Sequence, residues 1–146
     1  MYFQSIVMNV ADLDRSLEFY SGVFGFELLS RQDQLASIHA PGSDRPQVIV
    51  LRSLGTTSSR VGGARHVGMR ALVLDCGSLD ELERIANELD RRKSLVSRRD
   101  GGTWTAAFGR DPDRLALVAG CSLTPHQPIT LEAWAQLDPS LYGVGE

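Results

Sequence analysis

Few side chains in this sequence can bind a metal or transfer a proton near neutral pH. The 146 residues include three histidines, His39, His66 and His126, and two cysteines, Cys76 and Cys121. The cysteines lack the close spacing of metal-ligand pairs and do not indicate a disulfide framework. No serine–histidine–aspartate, cysteine–histidine or paired-carboxylate pattern has a convincing spacing for catalysis. The histidine side chains are therefore the main candidates for chemistry. An imidazole could act as a metal ligand or as a general base whose ordinary pKa is about 6.5.

The composition is typical of one globular domain. Hydrophobic residues make up 42% and charged residues 23% of the sequence, and the formal net charge is -3. A disordered chain would be more charged, and a protein that binds mainly nucleic acid would be basic. The longest apolar runs fall far short of the roughly 20 residues of a membrane helix, and no segment resembles a signal peptide. We therefore expect a cytoplasmic protein with neither nucleic acid nor a membrane as its partner.

One local cluster is basic despite the acidic total. It consists of Arg91, Arg92, Lys93, Arg98 and Arg99. Cations suit the C-terminal end of a helix dipole, so the cluster is more typical of a solvated helix end and turn than of an anion site.

The first part of the chain predicts a strand, a helix and three further strands. Apolar residues alternate over 3–10, and a helix then begins after Asp12 as its N-cap and ends at Gly25. The apolar stripe of this helix is Leu13, Leu17, Tyr20 and Phe24. Strand-like runs follow at 26–31, 35–39 and 47–51, with a turn at 41–44 before the last of them.

The same order of elements then begins again. The stretch 55–64 is rich in glycine, serine and threonine and is interpreted as a linker. A strand is predicted at 66–74, a capping-box pair of Ser78 and Glu81 begins a helix, and strands follow at 95–98, 103–108 and 115–118. The stripe of this helix is Leu79, Leu82, Ile85 and Leu89. A repeat of this kind predicts two modules, 3–54 and 65–120.

The tail, residues 121–146, lies outside the repeat. Thr130 is expected to cap a short helix that carries Leu131, Trp134 and Leu137. Its aromatic residues are expected to pack on the domain or on a partner subunit rather than to close a cavity as a lid.

Three segments carry a family resemblance. The first is Val10-Ala11-Asp12-Leu13-Asp14-Arg15-Ser16-Leu17-Glu18-Phe19-Tyr20, followed by Val23-Phe24-Gly25-Phe26-Glu27-Leu28. The second is His66-Val67-Gly68-Met69-Arg70, and the third is Phe108-Gly109-Arg110-Asp111-Pro112-Asp113. Together they resemble the entry strand and helix, the second-module strand and the closing turn of the vicinal oxygen chelate superfamily (glyoxalase, bleomycin resistance protein, extradiol dioxygenase). Arg114 stands where that turn usually has glycine.

The resemblance covers 3–120 and implies a fold. It is an α+β fold in which two βαβββ modules form a cupped mixed sheet around a small-molecule cavity. Phe19, Tyr20 and Phe24 are expected to hold the first helix on its sheet as core residues. Superfamily members commonly pair, so a homodimer is expected, with edge strands and apolar surface for a partner to cover.

The resemblance also implies where a metal would be bound. Its four ligand positions fall on Ser5, Val50, His66 and Val118, of which only His66 is a competent ligand. Residues 2–5 resemble the remnant of a cleaved tag, which would have replaced the native residue at position 5. Even if that residue were histidine, the four ligand positions would still lack a carboxylate. A site rebuilt from His39, His66 and His126 is the less favoured alternative. We therefore expect no metal and no cofactor.

Without a metal, the implied cavity is apolar with a few polar groups. The inward face is expected to carry Ser5, Val7, Asn9, Val48, Val50, Arg52, His66, Gly68, Arg70, Trp104, Ala106, Phe108 and Val118. The candidate ligand-binding residues are Asn9, Arg52, His66, Arg70, Trp104 and Phe108. The aromatic pair would stack on a planar ligand, Asn9 and His66 would hydrogen-bond to it, and either arginine would meet an acidic group. Equally, His66 and Trp104 are explained as core residues, and the arginines as solvent or dimer contacts.

Two functions from different classes follow. The favoured one is metal-independent binding, by sequestration or transport, of an apolar or aromatic small molecule. The alternative is a divergent dioxygenase, lyase or isomerase in which His66, the only catalytic candidate, acts in a nonstandard metal site or as a general base. A purely structural or regulatory dimerisation module is a third possibility.

Overall fold

Two βαβββ modules make up the fold, in the order that the sequence predicts. The structure is a computed structural model that describes residues 3–42, 47–55, 68–124 and 127–137. The first module consists of β1 (Ser5–Val10), α1 (Leu13–Phe24), β2 (Glu27–Gln32), β3 (Leu35–His39) and β4 (Val48–Ser53). The second consists of β5 (Ala71–Asp75), α2 (Leu79–Arg91), β6 (Leu95–Asp100), β7 (Trp104–Arg110) and β8 (Ala116–Ser122), and α3 (Leu131–Leu137) follows it.

Each module forms its own open, four-stranded mixed sheet. The strand orders are β1-β4-β3-β2 and β5-β8-β7-β6. The first and last strands of each module pair in parallel, and the other neighbours are antiparallel. The chain divides into two compact units, Met1–Gly62 and Gly63–Glu146, each containing one sheet. The predicted α+β class and the two βαβββ modules are confirmed.

Local sequence signals set the ends of the first helix. The Asp12 side chain accepts a hydrogen bond from the Arg15 backbone N–H at 3.0 Å, which satisfies one of the unpaired donors of the first turn. Gly25 ends the helix with a left-handed φ of 70°. The aromatic side chains of α1 are buried against Phe26, with ring centroids 5.5–6.2 Å apart. Phe19, Tyr20 and Phe24 are thus core residues, as predicted.

The second helix packs closely on its sheet because a glycine allows it. Ser78 caps α2 through the Glu81 backbone N–H, and Leu82, Ile85 and Leu89 are buried. A Cβ added to Gly109 on β7 would lie 3.1 Å from Leu89 Cδ1, so a larger residue there would push the helix away. Leu79, which the predicted stripe includes, is exposed instead.

The start of β5 differs from the prediction. The strand begins at Ala71, so Gly68 and Arg70 precede it and are not inward-facing strand residues. Gly68 has a φ of 137°, a conformation that does not continue a strand, and Ala71 is the first residue that pairs with β8. Most of the predicted linker, and His66 with the rest of the predicted strand before Gly68, lie outside the described residues.

The turn between β7 and β8 has the predicted Asp-Pro-Asp geometry. The buried Asp111 carboxylate accepts hydrogen bonds from the backbone N–H groups of Asp113 at 2.9 Å and Leu115 at 2.8 Å. Arg114 adopts a left-handed φ of 70°, which explains why a glycine suits this position in related turns. The turn forms in spite of the arginine.

Replacing that arginine should stabilise the protein. Arg114→Gly removes a left-handed β-carbon from an exposed position, so the free energy of unfolding should rise by about 1 kcal/mol. Denaturant titration measures the change. Arg110→Gly is the control, because a glycine in the strand β7 should lower stability. Equal or lower stability of Arg114→Gly would show that the turn is not strained.

Candidate functional site

The predicted ligand-binding residues of the first unit lie on the sheet face opposite α1. Met8 and Val10 are buried toward the helix, so their neighbours Ser5, Val7 and Asn9 point to the other face. Asn9 pairs in register with Arg52, and Val7 with Val50. The structure therefore places Asn9 and Arg52 side by side on one face. Val7 on this face is 65% exposed.

A row of residues crosses the same face at the level of Ser5. Ser5 pairs with Val48, Val48 with His39, and His39 with Glu27. The half-buried His39 Nε2 lies 3.6 Å from Glu27 Oε2, and its Nδ1 has no hydrogen-bond partner among the described residues. The rebuilt site of three histidines stays a prediction, because His66 and His126 lie outside the described residues.

The corresponding face of the second unit centres on Trp104. Strand register places Trp104, Ala106 and Phe108 of β7 opposite Ser122, Gly120 and Val118 of β8. A Cβ added to Gly120 would lie 3.1 Å from Trp104 Cε3, so the indole lies directly over this glycine. The residues of β5 on this face are Ala71, Val73 and Asp75.

The tail helix α3 packs on this same face. Ala133 and Leu137 form one buried cluster with Trp104, Ala106 and Val118, and Ile129 and Trp134 pack around it. Arg99 donates a hydrogen bond to the Leu137 carbonyl at 2.7 Å, and its guanidinium carbon lies 5.2 Å from the centre of the Phe108 ring. Leu131, predicted in the apolar stripe, is 72% exposed. The helix α3 therefore packs on the second unit, the first of the two predicted alternatives, and makes Trp104 a core residue that is 5% exposed.

A groove remains beside α3, between the sheet and the extended segment that precedes the helix. Its volume is about 470 Å³, and its described lining residues are Val73, Asp75, Trp104, Gln127, Pro128 and Ile129. Only Trp104 belongs to the predicted ligand-binding set. Sequence reasoning missed Val73 and Asp75 because it began the strand at residue 66, which put even-numbered residues on the inner face.

Two thiols lie next to the groove strand but are not reactive groups. Burial raises the pKa of the Cys76 thiol from 9.0 to about 12, and the neighbouring Asp75 carboxylate and Cys121 add to the shift. Burial, and then Asp75, also raises the pKa of the Cys121 thiol. Both thiols are therefore protonated near neutral pH, which makes them poor nucleophiles and poor metal ligands.

The basic cluster at the end of α2 is largely occupied by ion pairs. Arg91 and Arg92 both contact the Glu88 carboxylate, and Arg98 contacts Glu83. Hydrogen bonds from Arg91 and Arg92 lower the pKa of Glu88 to about 2. These contacts support the solvated helix end over an anion site.

Valine stands at two of the four implied metal positions. Val50 lies on the sheet face opposite α1 and Val118 on the sheet face opposite α2, and neither side chain has a donor atom. Ser5 and Ala71 occupy equivalent positions in the two modules. Each is the first residue that pairs with the last strand of its own module. Among the described residues, no three histidine, cysteine, aspartate or glutamate side chains cluster as a metal site.

The sequence pattern of the Glyoxalase/Bleomycin resistance protein/Dioxygenase superfamily matches residues 2–118. The chain belongs to this superfamily. The matched range includes both sheets up to Val118 and leaves out α3, so the helix that covers Trp104 is outside the superfamily pattern. No curated protein sequence matches the chain.

Solved structures agree with this membership. A glyoxylase/bleomycin resistance protein/dioxygenase domain from Frankia sp. EAN1pec has a TM-score of 0.68 at 20% identity and covers 84% of this chain and 98% of its own. A glyoxalase/dioxygenase from Nostoc punctiforme has a TM-score of 0.65 at 17% identity, covering 84% and 92%. Lactoylglutathione lyase from Agrobacterium tumefaciens has 0.60 at 18% identity, covering 82% and 92%. At these identities the likeness establishes the fold alone.

Within the described residues, every helix is too short or too polar to cross a bilayer.

The packing of α3 can be tested by tryptophan fluorescence. In a Trp134→Phe background, Trp104 is the only remaining tryptophan. Leu137→Ala removes a fully buried side chain, at a cost of about 2–5 kcal/mol of packing, which is enough to loosen a helix of 7 residues. Trp104 emission should shift to longer wavelength and become quenchable by iodide. Leu131→Ala on the exposed side of α3 is the matched control, and the same shift in that variant would contradict the assignment.

The thiol of Cys76 should resist alkylation in the folded protein. At about pH 8, iodoacetamide should modify it far more slowly than in the urea-unfolded chain, as mass spectrometry would show. Since folding raises the pKa of this thiol, the stability that it contributes is present below pH 9.0 and is lost as the pH rises toward about 12. Equal alkylation rates in the folded and unfolded chain would refute the burial of this group.

Proposed function

We propose that this member of the superfamily binds a small organic molecule without a metal. The observation that carries the proposal is the groove beside Trp104, whose walls are mainly apolar. Valines at positions 50 and 118 support the absence of a metal, because an aliphatic side chain cannot act as a metal ligand.

The size of the groove fits this role. Small-molecule sites commonly measure about 300–1,000 Å³ and combine apolar walls with a few polar groups. Here Val73, Pro128 and Ile129 supply apolar surface, while Asp75 and Gln127 supply the polar groups within a volume of about 470 Å³. The preferred ligand is therefore apolar or aromatic and small.

The other predicted ligand-binding residues lie outside the groove lining that is described, and each has its own role in the proposal. Asn9 and Arg52 are adjacent on the exposed face of the first unit and would serve polar groups of a ligand there. Phe108 packs under Arg99, which favours a supporting role. Arg70 is half-buried just before β5, and a ligand contact by Arg70 or by His66 is retained as part of the proposal.

We also propose that the protein acts as a cytoplasmic homodimer. The edge strand β2 is exposed along all 6 of its residues, including the apolar Leu28 and Leu29. An edge of this kind is normally covered or blunted, and a second copy would cover it.

A second carboxylate placed in the groove should weaken the binding of an apolar probe. Val73 lines the groove and is 42% exposed, whereas Val96 is 60% exposed on β6 and is not among the lining residues. Val73→Asp should weaken the binding of the neutral fluorescent probe N-phenylnaphthylamine about tenfold or more, since it puts a carboxylate against the probe. Val96→Asp is the matched control and should bind as the original protein does.

Chelation and elemental analysis test whether binding of the probe requires a metal. Binding of the probe should be unchanged after exhaustive chelation. Stoichiometric iron, zinc or manganese found by elemental analysis of purified protein, with probe binding lost on its removal, would overturn the proposal. Turnover of any substrate that His66→Ala abolishes would establish the enzymatic alternative.

A further inference from the structure

The groove has one charged side chain among its described lining residues, Asp75. The carboxylate accepts a hydrogen bond from the Gly77 backbone N–H at 2.8 Å through Oδ1. Across residues 3–42, 47–55, 68–124 and 127–137, no lysine, arginine or histidine forms an ion pair with it. The carboxylate therefore contributes a negative charge to the groove that the described part of the protein does not neutralise.

This charge lies close to the aromatic wall. Asp75 pairs in register with Gly120 on the adjacent strand, and the Trp104 indole lies over that glycine. Neighbouring strands are about 4.8 Å apart, so the carboxylate and the indole border the same small part of the groove. A β-carbon at position 120 would displace the indole, which makes the glycine part of this arrangement.

We propose that the groove selects ligands that combine an apolar body with a cationic amine. The proposal rests on the binding function proposed above and adds the chemical class of the ligand. An ammonium group would pair with the Asp75 carboxylate beside the Trp104 ring, and the apolar body would lie along Val73, Pro128 and Ile129. A neutral ligand of the same shape gains only the apolar contacts, and an anionic one is repelled.

The Asp75 carboxylate also affects the pKa values of two nearby thiols. It contributes to the raised pKa values of the thiols of both Cys76 and Cys121, which lie on two adjacent strands of this sheet or at their ends. Burial is the larger cause of both shifts, and the Asp75 carboxylate adds to it. A carboxylate at the groove favours a cation over an uncharged guest.

Two probes of the same skeleton separate charge from shape. Phenethylamine is protonated near neutral pH, and phenethyl alcohol is its neutral counterpart. Isothermal titration of the full chain should give a dissociation constant about tenfold lower for the amine at low salt, and the difference should shrink as salt is added. Asp75→Asn should remove the difference between the two dissociation constants.

Controls assign the effect to this groove. Asp90→Asn, an exposed substitution on α2, changes the net charge equally and should keep the preference for the amine. The Trp104 indole N–H signal, assigned in Trp134→Phe protein by NMR, should move on addition of the amine. Circular dichroism must show that Asp75→Asn remains folded.

The outcomes distinguish the two proposals. Equal affinity for amine and alcohol overturns the selection of cations and leaves the binding function intact. A preference that survives Asp75→Asn, or binding that leaves the Trp104 signal unmoved, overturns the assignment to this groove. Failure of both probes, together with failure of N-phenylnaphthylamine, overturns the selection and the binding function together.

Discussion

The burial of Trp104 is the interaction on which the second unit's sheet face opposite α2 depends. The indole lies over Gly120, where an added β-carbon would be 3.1 Å from Trp104 Cε3, and α3 covers it with Ala133 and Leu137. Arg99 fixes the end of the helix through the Leu137 carbonyl. Because the helix takes the centre of the face, the groove is confined to the strip between β5 and residues 127–129. The groove is thus a consequence of how the tail packs.

The same module is used in two ways within one chain. In the first unit the face opposite α1 carries polar and aliphatic side chains, with Val7 largely exposed and His39 beside Glu27. In the second unit the equivalent face is apolar and is covered by the tail helix. Repeats that share a backbone plan therefore differ in chemistry, because the fold fixes which positions face outward and the side chains there decide what can bind.

Membership of the superfamily establishes the scaffold but leaves the chemistry to the individual side chains. The valines at positions 50 and 118 are aliphatic where an oxygen-chelating site needs donors, and the thiols near the groove hold their protons. Among its described lining residues, the groove of the second unit is an apolar strip with one carboxylate, that of Asp75.

The sequence by itself determined the elements that depend on local interactions. Asp12, Gly25 and Ser78 mark helix ends through backbone hydrogen bonds within a turn, and apolar alternation marks the strands, so the α+β repeat was predictable. Only the tertiary structure decided the register of β5 and the place of α3. A shift of one residue exchanges the two faces of a strand, which is why Asp75 was missed. The contact of Leu137 with Trp104 joins residues far apart in the chain, and no local pattern specifies such a contact.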